Sequence, residues 1–184
     1  MEARSPLLPR SVVVCECWAR DGLQSIPEVV PTARKIAMID RITAAGFKKL
    51  EVTSFSNPKL LPQFADAEEV LRGIERRPGV SHVVLIPNER GFDRLEACHR
   101  EGHGAEEIIL MISASEKHNC LNFRMAHRDA MEEHARVMRR AHALGIRIIG
   151  CAGTVYGCPV GGDVPFRDVA KIVRFYLEEG AQTI

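Results

Sequence analysis

The chain has 184 residues, 46% of them hydrophobic and 27% charged, with a formal net charge of +1. That length suits one domain with a real core, and the composition excludes a disordered chain. A charge this close to zero gives no global field for nucleic acid or for an anionic membrane, so neither is expected as a partner.

Residues 1–11 have no apolar h-region and so are not a secretory signal. An arginine-bearing stub of an organelle transit peptide is the alternative to a plain disordered head. No stretch approaches the roughly 20 apolar residues that span a bilayer, and a cytoplasmic protein is expected. Cysteines stand at 15, 17, 98, 120, 151 and 158. Reduced thiols in core or wall positions are the expectation, since Cys15-x-Cys17 lacks the spacing of a structural zinc site.

From Val12 onward the chain alternates strands and helices. Val12–Cys17 reads as a first strand, with Cys15 and Cys17 on one face, and 31–45 as a helix in which Ile36, Ile39, Ile42 and Thr43 recur at helical spacing. Gly46 stops that helix. Strands follow at 49–55, 81–86, 107–112 and 146–151; helices at 65–74, 91–100, 128–144 and 165–179; residues 181–184 open a sixth strand. This repeat implies a parallel sheet covered by helices. Five units fall short of the eight of a closed barrel, so periodicity alone favours an open doubly wound sheet.

Two positions stand out chemically. Arg20-Asp21-Gly22-Leu23-Gln24 leaves the C-terminal end of the first strand, the end where parallel α/β proteins place their sites. A carboxylate there is a hard ligand for a cation such as Mg²⁺, and a guanidinium beside it is placed to stabilise an oxyanion; the plain alternative is a surface ion pair. Glu51 lies inside an otherwise apolar strand, which is costly unless it is paired or bound to metal. On an edge strand it would simply face water. On neighbouring barrel strands Glu51 would approach Asp21 and Arg20. His99 and His103 read as a solvated pair, and His127, His134 and His142 as a wetted stripe on one helix rather than a ligand set.

These segments together resemble the 3-hydroxy-3-methylglutaryl-CoA lyase family. Arg20-Asp21-Gly22-Leu23-Gln24 is similar to its R-D-G-L-Q signature, and Glu51-Val52-Thr53-Ser54-Phe55-Ser56-Asn57-Pro58-Lys59 to its E-x-T-S-F-x-x-P-K segment. Pro62-Gln63, Asp66, Pro87-Asn88 with Gly91-Phe92, Ser113-Ala114-Ser115-Glu116 with Asn119 and Asn122, and Gly157-Cys158-Pro159 follow in the family's order across 12–184. The resemblance overrides the open sheet and implies a TIM (β/α)8-type barrel of which about five units are present. It implies metal-dependent, retro-Claisen-type cleavage of 3-hydroxy-3-methylglutaryl-CoA, or a related 3-hydroxyacyl-CoA, to acetyl-CoA and acetoacetate. It also implies a place in leucine degradation and ketone-body formation, and a homodimer.

By the family's pattern Asp21 is a ligand of Mg²⁺ or Mn²⁺. Arg20 stabilises the enolate oxygen, Glu51 supports both, and Gln24, Ser113, Ser115 and Asn119 contact the acyl-CoA. The R-D-G-x-Q piece is shared with condensing synthases of the isopropylmalate and homocitrate type, which run such chemistry forwards. The chain departs from the pattern at Glu16-Cys17-Trp18-Ala19, where E-V-G-P is usual, at Cys151 in place of a tyrosine, at Ala152-Gly153-Thr154, which lacks a serine, and at Lys117-His118 in place of an aromatic. The family's H-x-H metal pair has no counterpart up to residue 184, so the 184 residues by themselves are expected not to turn over. A partial barrel that binds acyl-CoA or a partner without catalysis is the alternative.

Overall fold

A computed structural model describes Pro9 and residues 11–184. The expected head at 1–11 therefore falls mostly outside the described residues. Five parallel strands form one sheet: β1 (Cys15–Glu16), β2 (Lys49–Ser54), β3 (Ser81–Leu85), β4 (Glu107–Ser113) and β5 (Arg147–Gly153). Their spatial order is their order in the chain, β1-β2-β3-β4-β5, with no reversal. A doubly wound sheet reverses direction at a switch point, whereas strands added one after another in one direction curl into a barrel wall. The result is a half-barrel, and the motifs rather than the periodicity foretold it.

Helices α1 (Thr32–Ala44), α2 (Ala67–Gly73), α3 (Glu89–Arg100), α4 (Glu116–Phe123), α5 (His127–Ala143) and α6 (Phe166–Glu178) fill the connections. The larger core lies between sheet and helices. Leu50, Val52, Val84, Ile108, Leu110, Ile112 and Ile148 face outward from the strands onto Ile39, Val70, Leu71, Phe92, Leu95, Val137, Met138 and Ile172. On the other face Val83, Leu85 and Ile109 make a small cluster with Ile149 and Cys151. Strands with apolar groups on both faces are what a parallel sheet requires.

Several motif residues prove to be joints of this frame. Asn88 caps α3 by accepting from the Gly91 N–H at 3.0 Å. A Cβ on Gly91 would come within 2.8 Å of the Phe55 carbonyl oxygen, so only glycine lets α3 start this close to β2. Asp66 accepts from the buried Lys35 ammonium at 2.7 Å and from the Thr32 hydroxyl at 2.7 Å, tying α1 to the loop after β2. Gly46, at φ +102°, ends α1 as expected. Residues 181–184 begin to pair as anticipated: Thr183 bridges Ile149 in parallel, and the Gly150 N–H donates to the Thr183 carbonyl at 2.9 Å.

The structure departs from the sequence reading in five places. The first strand is only two residues long, and Val12, Val13 and Val14 are exposed; β-branching alone does not bury a segment that lacks a partner above it. Helix α4 was not foreseen, because Glu116–Phe123 has no apolar stripe and Asn119 is its only buried residue. Its readable signal was Ser115, whose hydroxyl accepts from the His118 N–H. The stripe of histidines on α5 is not wetted, since His127 and His134 are buried and only His142 is exposed. His127 Nε2 donates to the Ser113 carbonyl at 2.7 Å, and His134 Nδ1 meets the Tyr176 hydroxyl at 3.1 Å; burial holds the His134 pKa down at about 4. His99 and His103 are each partly buried rather than solvated. All six cysteines are free, but Cys17 and Cys120 are exposed rather than set in the core or wall.

Candidate active site at the mouth of the half-barrel

Immediately after β1 the backbone makes a tight π-helical turn over Trp18–Gly22, with the amides of Arg20, Asp21 and Gly22 all directed at the Cys17 carbonyl. Ala19 is buried under the turn and fixes it to the frame. This brings Arg20 over β2. Its Nε donates to Glu51 Oε2 at 2.6 Å, and its Nη1 to Asp21 Oδ1 at 3.0 Å. The three residues that sequence spacing singled out thus stand together, joined through one guanidinium.

Their exposure differs. The side chains of Arg20 and Glu51 are 13% and 14% exposed, that of Asp21 64%. Arg20 and Glu51 form a fixed, half-sealed pair, and Asp21 projects from it into solvent. Three thiols surround the pair. The Cys15 pKa is pushed up to about 11, first by burial and then by the charge of Glu51. Cys17 and Cys151 are raised for the same two reasons. A thiol held this high is protonated at neutral pH and is no nucleophile.

Among the described residues no three His, Cys, Asp or Glu side chains gather in a way that could hold a metal ion. Mg²⁺ commonly takes one or two protein carboxylates and keeps its water. Asp21, open on its outer side, fits one such position, and the described residues do not complete a shell.

The other residues singled out lie elsewhere along the rim. Gln24 is exposed just past the turn. Ser115 holds the end of β4 to that of β5, its N–H donating to Thr154 Oγ1 at 3.1 Å. Asn119 is fully buried; its Oδ1 accepts from the Ser113 N–H at 3.0 Å and its Nδ2 donates to the Met125 carbonyl at 2.9 Å, so both ends of the amide serve the loop after β4. Ser113 is buried, with its Oγ 2.7 Å from His118 Nδ1. Sequence reasoning met His118 only as a departure from a pattern and, with Cys120, as a zinc candidate set aside for its spacing; nothing in the sequence near α4 signals its contact with Ser113.

Several known proteins similar to this chain are lyases by name. The HMGL-like family model matches residues 11–184. The chain is 36% identical to the mitochondrial hydroxymethylglutaryl-CoA lyase of Bos taurus over 176 residues, covering 96% of this chain and 53% of that protein. It is also 36% identical to the 3-hydroxy-3-isohexenylglutaryl-CoA/hydroxymethylglutaryl-CoA lyase of Pseudomonas aeruginosa, over 96% of this chain and 57% of that one. A solved HMG-CoA lyase from Acinetobacter baumannii, in complex with coenzyme A and 3-methylmalate, superposes with a TM-score of 0.85 at 36% identity, covering 92% of this chain and 53% of that one. The chain spans about half the length of the relatives it matches.

Proposed function

The chain belongs to the HMGL-like family, and on that premise we propose that it is the first half of the active site of a metal-dependent acyl-CoA lyase, acting on 3-hydroxy-3-methylglutaryl-CoA or a related 3-hydroxyacyl-CoA. The observation that carries this reading is the Glu51–Arg20–Asp21 chain of contacts at the C-terminal end of β1 and β2.

Cleavage to acetyl-CoA and acetoacetate removes the proton of a tertiary alcohol while negative charge collects on the thioester oxygen. Arg20 is built to meet that charge. Glu51 fixes its Nε and Asp21 its Nη1, so the plane of the guanidinium is set before substrate arrives, and among the described residues Nη2 has no other partner. Pre-set donors stabilise a developing oxyanion without reorganisation. Asp21 would hold the divalent ion, Mg²⁺ or Mn²⁺, through its exposed carboxylate. The ion, when bound, acts as a Lewis acid that lowers the pKa of the substrate hydroxyl. Gln24, exposed beside Asp21, orients the acyl group, and Ser115 lines the approach. Cys15 and Cys151 contribute protonated, weakly polar wall rather than a base, and the exposed Cys17 thiol is raised likewise.

Six free thiols suit a reducing compartment such as the cytoplasm, and a homodimer belongs to the same proposal.

The test is calorimetry and product assay on the chain with 3-hydroxy-3-methylglutaryl-CoA and Mn²⁺, with and without chelator. Binding that Arg20→Ala weakens supports the site. Acetyl-CoA release that a chelator leaves untouched would sink the role given to the ion, and absence of any acyl-CoA binding would sink the whole reading.

A further inference from the structure

The inner wall above β3, β4 and β5 is apolar: Val83, Leu85, Ile109, Ile149 and Cys151 cluster there. A glutaryl thioester carries a carboxylate at the end of its acyl chain remote from sulfur, and a carboxylate laid against such a wall is costly unless it finds a hydrogen-bond donor. At the upper end of that wall stands one imidazole. Ser113 and Gly153 are register partners at the ends of β4 and β5, and a Cβ on Gly153 would sit 3.5 Å from Ser113 Oγ and 3.8 Å from Met111 Sδ. Ser113 Oγ therefore faces inward, but it is closed to solvent and lies 2.7 Å from His118 Nδ1.

His118 is held twice. Its backbone N–H donates to the Ser115 hydroxyl at the start of α4, and its ring is tied to Ser113. When the Ser113 hydroxyl donates to Nδ1, the ring hydrogen must reside on Nε2. Nε2 has no hydrogen-bond partner among the described residues, and the ring is only partly buried. The exposed Lys117 beside it adds positive charge at the same rim.

We propose that His118 is a substrate-binding residue whose Nε2–H donates to the remote carboxylate of the acyl chain, with Ser113 the positioning residue that fixes its tautomer. The proposal rests on the acyl-CoA reading above and names the part of the substrate that reading leaves unassigned. It also reassigns Ser113, which stands behind the contact rather than making it.

Calorimetry with two thioesters on the 184-residue chain tests it. One is 3-hydroxy-3-methylglutaryl-CoA; the other is 3-hydroxy-3-methylbutyryl-CoA, identical but for the missing carboxylate. His118→Phe is expected to weaken the first about tenfold, or about 1.4 kcal/mol, and to leave the second unchanged. Ser113→Ala keeps the imidazole but frees its tautomer, and should erode the same preference by a few-fold. His118→Gln, whose amide nitrogen reaches the place of Nε2, should recover part of it and also covers the case in which the phenylalanine variant does not fold. Equal losses for both thioesters, or no loss for either, overturn the assignment while leaving the acyl-CoA reading in place. Failure of the unaltered chain to bind either thioester overturns both.

Discussion

At the base of the half-barrel one carboxylate is surrounded by donors, and at its mouth one guanidinium is shared between carboxylates. Glu107, Lys49, Ser81 and Arg147 are the first residues of β4, β2, β3 and β5. Glu107 accepts from Lys49 Nζ at 2.7 Å, from the Ser81 hydroxyl at 2.6 Å and from Arg147 Nη2 at 2.8 Å, and Arg147 also reaches Ser81 Oγ at 3.1 Å. The Glu107 side chain is 7% exposed. Two cations and one anion leave the base at +1, and each side chain is tied to another strand, although Arg147 is half exposed. The mouth has one cation and two anions, −1, and Asp21 faces water. Groups of the same kinds thus saturate one another at the base and stay open at the mouth. In barrels of this type the first arrangement holds the fold and the second meets ligands.

The comparison breaks most visibly at Glu107. Glu107→Ala leaves Lys49 and the half-exposed Arg147 without their shared counter-ion, and loss of the buried partner costs up to about 3 kcal/mol, readable as an earlier midpoint in urea. Burial alone would push the Glu107 carboxyl up, yet the hydrogen bonds from Arg147, Lys49 and Ser81 outweigh it and hold it below the ordinary value of 4.5. With the folded pKa the lower of the two, the contribution of Glu107 is complete above the unfolded value and fades as pH falls from there through the folded one. Glu107→Gln should flatten the acid limb below about pH 4.5; an unaltered limb would show that the base is not a saturated cluster.

A second pH effect comes from neither end. His134 lies between sheet and helices with its pKa lowered by burial from 6.5 to about 4. The unfolded chain binds a proton at this residue across that interval and the folded chain does not, so stability falls as pH drops from about 6.5 to about 4 and levels off below. At about 1.36 kcal/mol per pKa unit the loss reaches up to about 3 kcal/mol. Denaturant titrations of His134→Gln beside the parent should show a shallower slope in that window alone. A slope equal to the parent's assigns the effect to another group.

How much of this was legible beforehand depends on whether a residue's role is local. Arg20, Asp21 and Glu51 announced themselves because charges at the end of a strand, or within an apolar one, are conspicuous one at a time. Asn88 and Gly91 belong to a cap whose span is three residues. The base cluster escaped notice entirely: Lys49, Ser81, Glu107 and Arg147 each look like an ordinary charge or hydroxyl where a strand begins, and only the staggered register of four strands brings them together. His134 escaped for a related reason. Its partner, Tyr176, is 42 residues away, and on α5 alone the spacing of the histidines says only that they share a face.

At the mouth the expected effects are smaller and differ in kind between neighbours. Glu51→Gln removes a charge-assisted bond to the half-sealed Arg20 and should cost about 2 kcal/mol of stability, together with looser acyl-CoA binding, because Arg20 then has only the exposed Asp21 to orient it.

Asp21→Asn is the smallest perturbation of the fold and the most informative. Its contact with Arg20 is between neighbours in sequence, and its side chain lies mostly in water, where ion pairs contribute well under about 1 kcal/mol. The melting transition should stay within about 0.5 kcal/mol of the parent. Binding of Mn²⁺, followed by water-proton relaxation, should nevertheless fall, because an amide oxygen carries no net charge for a hard cation to meet. Loss of stability comparable to that of Glu51→Gln would make Asp21 a second structural partner of Arg20, and the mouth would then resemble the base. Stability kept while Mn²⁺ binding disappears is the pattern of a carboxylate left open to a ligand.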